Sequence, residues 1–196
     1  MPKDSWSTYT DRTVALLRGL SFRDRRGRDL GPGPGFALWR RLALDLRKDM
    51  GTIYLIGNGA SASMASHFAA DLAKNGKLHT QVFSDLSLIT AISNDMGYEH
   101  IFAEPLRRRG QRGDMLVAIS SSGRSPNVLA AIDVARRLHM TIVTLSAKDA
   151  RNPLRARGDL NAYVAATTYG HAETCHAAIL HHWMDLVETR NVTRPR

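Results

Sequence analysis

The sequence predicts an α/β protein whose mostly parallel sheet is flanked by helices. Three observations predict it. Short apolar, β-branched runs recur at 52–57 (TIYLIG), 115–120 (MLVAIS), 141–146 (TIVTLS) and 162–167 (AYVAAT). Helical periodicity fills the intervals between several of them, and fully apolar runs alternating with helices indicate a sheet covered on both faces. The runs at 52–57 and 115–120 end in Gly- and Ser-rich turns, and in such sheets ligands sit at the carboxyl ends of the strands.

The elements follow in order. Residues 5–20 read as a helix, with Val14, Leu16 and Leu17 apolar and Ser5 or Asp4 as N-cap. GRDLGPGPGF at 27–36 reads as a loop or hinge, because alternating Gly and Pro continue neither helix nor strand. Residues 36–50, with Leu38, Leu42, Leu44 and Leu46, read as a second helix. Residues 1–50 are thus expected to form a helical hairpin. The chain divides at 1–35, an N-terminal helix with its Gly/Pro loop, and 36–196, the main domain with its leading helix. Helices are then expected after 52–57, through Met64, Phe68 and Leu72, at 128–138, and at 171–188.

The chain has 196 residues, 43% hydrophobic and 23% charged, enough for a core without staples. A lone cysteine, Cys175, excludes an internal disulfide framework. No apolar run approaches the roughly 18–20 residues of a membrane span. The N-terminus lacks the apolar stretch of a signal peptide, so a cytoplasmic protein is expected. The net charge of +9 suits an anionic partner. Its densest groups are Arg23/Arg25/Arg26/Arg28, Arg40/Arg41 and Arg107/Arg108/Arg109, without interleaved aromatics. They read as solvated surface rather than as a nucleic-acid site.

Four constellations carry chemistry. Gly57-Asn58-Gly59-Ala60-Ser61 ends the first run; glycines admit a ligand to the backbone, and the following helix offers unpaired N–H groups to an anion. Ser120-Ser121-Ser122-Gly123-Arg124-Ser125 ends the second, with Pro126 suited to a first helical turn. Hydroxyls and amides together can wrap a phosphate. His67 and Asp71 stand four apart on one helix face, an arrangement equally compatible with a surface ion pair. Glu173 and His181 stand eight apart on the last helix, about 80° around it, among His176 and His182. Imidazoles and carboxylates on two helices could hold a divalent metal or serve as general acid and base.

Together these residues resemble the sugar isomerase (SIS) domain family, in its sugar-phosphate isomerase branch. The landmarks are GNGASASMASHFAADL (57–72), LSLITAISNDMGYEHIF (86–102), GDMLVAISSSGRSPNVLAAI (113–132) and ETCHAAILHHWMDLVE (173–188). The resemblance implies a three-layer SIS fold and a homotetramer with sites between subunits. It assigns phosphate binding to Ser61, Ser120, Ser121, Ser122 and Ser125, and sugar contacts to Asn58, Gly59, Ala60, Asn94 and Asp95. It assigns metal and acid–base roles to His67, Asp71, Glu173 and His181, with Asp71 and Glu173 also touching substrate. The implied cofactor is Zn²⁺ or another divalent metal, one per subunit.

Two positions depart from the family pattern. Asp71 replaces a glutamate and is one methylene shorter; Glu173 replaces a glutamine and adds a charge. The connection from Asp71 to Phe83 is also shorter than is usual. The implied reaction is aldose–ketose isomerisation of a sugar phosphate, expected to be sedoheptulose 7-phosphate, through a metal-assisted enediol, with Asp71 and His181 as acid–base pair. The alternative is a non-catalytic relative: some act as tetrameric scaffolds for a replication-initiation protein, or as sugar-phosphate-sensing binders.

Overall fold

The computed structural model describes residues 5–188; Asp4, the alternative N-cap, and residues 189–196 lie outside them. Helix α1 (Trp6–Arg18) is capped by Ser5, whose hydroxyl accepts from the Thr8 amide at 3.2 Å. Strand β1 (Ser21–Asp24), helix α2 (Pro32–Lys48), strand β2 (Thr52–Gly57) and helix α3 (Ala60–Lys74) follow. Next come strand β3 (His79–Val82), helix α4 (Leu86–Met96), a 3₁₀ turn (Tyr98–His100) and helix α5 (Ala103–Arg109). The chain continues through β4 (Met115–Ser120), α6 (Pro126–Arg137), β5 (Thr141–Ser146), a 3₁₀ turn (Pro153–Ala156), β6 (Leu160–Tyr163) and α7 (Tyr169–Val187).

The six strands lie in the order β1-β6-β5-β4-β2-β3. All neighbours are parallel except β1, which pairs antiparallel with β6, Ser21 opposite Tyr163 and Asp24 opposite Leu160. The strands expected at 52–57, 115–120 and 141–146 are present as β2, β4 and β5, and are joined by β1, β3 and β6. Alternation along each strand sorts the core. Ile53 and Leu55 of β2, with Met115, Val117 and Ile119 of β4, face a cluster completed by α2, α3 and α7. Tyr54, Ile56, Leu116 and Ala118 face the other cluster, under α4, α5 and α6. Three layers result. Trp39 of α2 and Trp183 of α7 are fully buried and stack with centroids 4.1 Å apart. Tyr9 of α1 stacks on His171 of α7 at 4.3 Å, which docks the first helix.

Two expectations for the N-terminal region are corrected. Residues 1–50 are not a simple helical hairpin, because β1 intervenes and extends the sheet. The Gly/Pro stretch is not wholly a loop, because α2 begins at Pro32. The first four amides of a helix have no intrahelical partner, so Pro32 and Pro34 sacrifice no bond there. Gly35 has a packing reason: a Cβ on it would stand 2.3 Å from Cγ of Phe22. Phe22 fills that space and meets Phe36 edge-on at 4.9 Å. The last expected strand, 162–167, is also displaced, since β6 leaves the ladder at Tyr163 where its partner β1 begins. Among the described residues no helix is long and apolar enough to cross a membrane.

Candidate active site

In the strand order, β2 and β4 are the neighbours from which the chain departs in opposite directions. The crevice beyond their carboxyl ends is where open parallel sheets bind ligands. The two turns predicted from sequence meet there. Asn58, after β2, and Asn127, in the first turn of α6, exchange a reciprocal pair of amide hydrogen bonds at 2.9 and 2.8 Å. The Tyr98 hydroxyl donates to Asn58 Oδ1 at 3.3 Å. Each turn therefore fixes the other.

The serine turn is braced from behind. Gly123 adopts a left-handed φ of 63°, and a Cβ there would lie 2.0 Å from Oδ1 of Asn152. Buried Asn152 donates to the carbonyls of Ala147 and Asp149 and to Oγ of Ser146. Ser120 Oγ accepts from the Gly123 amide and shares a hydrogen bond with Ser125 Oγ, both at 3.2 Å. Ser125 is the N-cap residue of α6, yet its side chain makes no capping bond. Helix α3 likewise begins at Gly59 without a side-chain cap. Two helix N-termini thus face the crevice with amides to offer an anion. Ser121 Oγ is buried and has no hydrogen-bond partner among the described residues, a donor whose isolation a bound oxyanion would relieve. Ser61, Ser120, Ser121, Ser122, Ser125, Asn58, Tyr169 and Glu173 enclose a cavity of 130 Å³ here.

The second part of the site lies along α3 and α7. His67 Nε2 stands 3.4 Å from Asp71 Oδ2, and the His67 and His181 rings are 5.6 Å apart, centroid to centroid. The His181 ring also packs edge-on against Phe68 at 4.7 Å. Three of the four sequence-predicted acid–base and metal residues are thus neighbours. Glu173 is placed with the serine turn. The donor set, two imidazoles and two carboxylates, suits Zn²⁺ in kind. In position it does not close: among the described residues no group of three or more His, Cys, Asp or Glu is arranged to hold a metal ion.

The other predicted residues divide. Asn58 borders both the polar cavity and an apolar one of 260 Å³ between α3 and α4, which Gly59 also lines and which is walled by Phe83, Ile89, Tyr98, Ile101 and Phe102. Ala60 opens α3 and is exposed. Asn94 and Asp95 lie on the exposed side of α4, Asn94 donating to Asp95 at 2.8 Å, and line neither cavity. Sequence reasoning missed Asn127, Tyr98, Tyr169 and Lys148, whose ammonium sits 3.2 Å above the Tyr169 ring. Lys148 carried a signal: it follows the apolar run at 141–146, where strand ends gather. Of the remaining histidines on α7, His176 is fully buried, with its ring beside the Ser146 backbone. Burial lowers its pKa to about 4, weakly opposed by the Ser146 backbone. It therefore remains neutral at neutral pH. Burial likewise raises the Cys175 thiol.

Comparison with known proteins agrees with this geometry. Residues 40–147 match the model of the SIS domain, and the chain belongs to the SIS domain family. The phosphoheptose isomerase of Helicobacter pylori is 35% identical over 153 residues, 75% of this chain and 79% of that protein. That of a Shewanella species is 36% identical over 144 residues, 69% and 73% of the two chains. The solved structure of phosphoheptose isomerase GmhA from Neisseria gonorrhoeae superimposes with a TM-score of 0.81 at 27% identity, covering 93% of this chain and 97% of that one. Within the family, then, this chain is an isomerase similar to the phosphoheptose isomerases.

Proposed function

We propose that this isomerase interconverts sedoheptulose 7-phosphate and an aldose heptose 7-phosphate. The relatives' names support the substrate class. The observation that carries the reading is the layout of α3. Ser61 in its first turn borders the serine cradle, while His67 and Asp71 stand six and ten residues on. At about 1.5 Å per residue those are rises of about 9 and 15 Å. An extended chain gains about 1.2 Å per backbone bond, so the seven bonds from phosphorus to C2 of a heptulose 7-phosphate span about 8 Å. Anchored in the cradle, such a sugar presents its carbonyl end at the level of His67.

The cradle holds the phosphate remote from the reacting carbons, and its role is orientation. At the other end Asp71 takes a proton from C1 of the ketose. The C–H electron pair becomes the C1–C2 double bond, and the C2 oxygen takes a proton from His181. In the second half, the C1 hydroxyl proton returns to His181, the C1 carbonyl forms, and Asp71 returns its proton to C2. Atoms and protons balance, and both groups regain their starting states. His67, beside Asp71, positions that carboxylate.

His67, Asp71, Glu173 and His181 are donors of the kind Zn²⁺ takes, one ion per subunit, but Glu173 stands apart from the other three, so the proton transfers are assigned to the side chains alone and the metal enters as a condition of the test. A cytoplasmic homotetramer is also proposed, supported by exposed Trp6 on α1 and by Leu86 and Met96 on α4. The test is turnover of sedoheptulose 7-phosphate by metal-stripped protein, with and without added Zn²⁺. Aldose formation that falls about 10²–10⁴-fold in His181→Ala is expected. Sugar-phosphate binding without turnover in either condition would favour the scaffold or sensing alternative.

A further inference from the structure

We infer that this chain carries a second anion site, distinct from the isomerase crevice and behind its serine turn, that takes a diphosphate group. It lies at the β1 edge of the sheet, where the turn after β1 faces the 3₁₀ turn Pro153–Ala156. A cavity of 390 Å³ there is lined by Arg23, Arg25, Arg26, Arg151 and Arg155.

The charge in this cavity is unbalanced. Asp24 is engaged by Arg28 at 2.7 Å and by two backbone amides. Asp149 pairs with Arg124 at 2.8 Å and lies 3.9 Å from Arg151. Asp29 caps the Gly31 amide. Arg23, Arg25, Arg26 and Arg155 have no ion pair among the described residues. Four guanidinium groups therefore share one concavity whose nearby carboxylates, Asp24 on its wall and Asp29 beside Arg155, are engaged with other partners.

Arg155 makes this more than a basic surface. Its side chain is held at 9% exposure, stacked 3.9 Å from the Tyr163 ring. Its terminal nitrogens donate to the Ala150 carbonyl and to Ser21 Oγ, both neutral acceptors. Its Nε is buried and unpartnered, and so is that of Arg23. A buried cation that is not paired with an anion is costly. Burial, with Arg23 next to it, depresses the Arg155 pKa. A ligand carrying several negative charges removes that cost, and guanidinium forks match phosphate oxygens bidentately. One phosphate leaves much of the space and charge unused. A diphosphate fills both better.

The test is calorimetric titration of the full chain with inorganic pyrophosphate, inorganic phosphate and ADP. Two sequence variants separate the sites: Arg25→Ala/Arg26→Ala, both exposed, and Ser121→Ala/Ser122→Ala in the cradle. Pyrophosphate should bind at least tenfold more tightly than phosphate. The arginine variant should weaken it tenfold or more, and the serine variant should leave it within twofold. ADP matching pyrophosphate would support the diphosphate as the recognised group, and ADP binding more tightly would support a nucleoside diphosphate as its source. Equal affinity for phosphate and pyrophosphate, or loss of binding in the serine variant alone, would overturn the assignment. So would displacement of pyrophosphate by a short DNA duplex at lower concentration, which would make the surface a nucleic-acid site. Because none of these readouts involves turnover, failure here is distinct from failure of the isomerase reading.

Discussion

The middle of the sheet and its β1 edge are both suited to anions, and they achieve it by opposite means. In the middle, hydroxyls, helix N-termini and one carboxylate, Glu173, surround a 130 Å³ cavity that no Arg or Lys lines, braced by Asn58, Asn127 and Asn152. At the edge, arginines line 390 Å³, Arg155 fixed by Tyr163, Ala150 and Ser21 and Arg25 and Arg26 exposed. The central cradle, without a cation in its lining, depends on shape and pre-oriented donors; the edge depends on positive charge.

The largest way to break this contrast is Gly123→Ala. The added methyl would meet Asn152 in a left-handed backbone position. A loss of about 2–4 kcal/mol is expected from the strain and repacking together, with phosphate binding abolished in calorimetry. Adding Asn152→Ala removes the two closest contacts, at Oδ1 and Cγ, and leaves the 2.8 Å approach to Cβ, so the double variant should be less destabilised than the sum of the two singles.

Next comes the separation of anchoring from chemistry within the central site. Asp71→Asn should lower kcat by about 10²–10⁴-fold with KM little changed. Ser121→Ala should act chiefly on KM. Steady-state kinetics of both variants checks this, and equal loss of kcat in both would contradict the assigned roles.

Acid should weaken the α7 side of the central layer through His176. Its pKa is about 4 in the folded chain against 6.5 for the free side chain. The unfolded state thus binds the extra proton first, and stability falls as pH drops from about 6.5 towards 4. The full effect is about 3 kcal/mol. Urea unfolding across that range should show a slope that His176→Met reduces.

The smallest expected effect is at the edge. Arg25→Ala/Arg26→Ala should change stability by less than about 0.5 kcal/mol, because both side chains are exposed and unpaired. Salt should weaken pyrophosphate binding there more than phosphate binding in the cradle, since screening acts on charge.

The same contrast separates what the sequence revealed from what it concealed. The central strands were legible because 52–57, 115–120 and 141–146 are buried on both faces and so almost wholly apolar. Their turns were legible because glycine and serine clusters have few other uses. The edge was not. Ser21–Asp24 is four residues long, with only Phe22 buried, and it pairs with a strand some 140 positions away. The GPGPG stretch was misread because its reason, the space left for Phe22, is tertiary. The bond between Asn58 and Asn127 spans 69 positions, and no local pattern marks it. His67, Asp71 and His181 were brought together as expected, while Glu173 joined the phosphate end, because eight residues on α7 carry the two apart.

The buried indole stack also gives the molecule an optical reporter. Of its three tryptophans, Trp39 and Trp183 lie face to face within 12° of parallel, while Trp6 is 77% exposed. Coupled transitions in the closed pair should give a near-ultraviolet circular dichroism couplet, set apart from the solvent-relaxed emission of Trp6. Because one indole belongs to α2 and the other to α7, loss of the couplet would time the parting of those two helices during unfolding without any label.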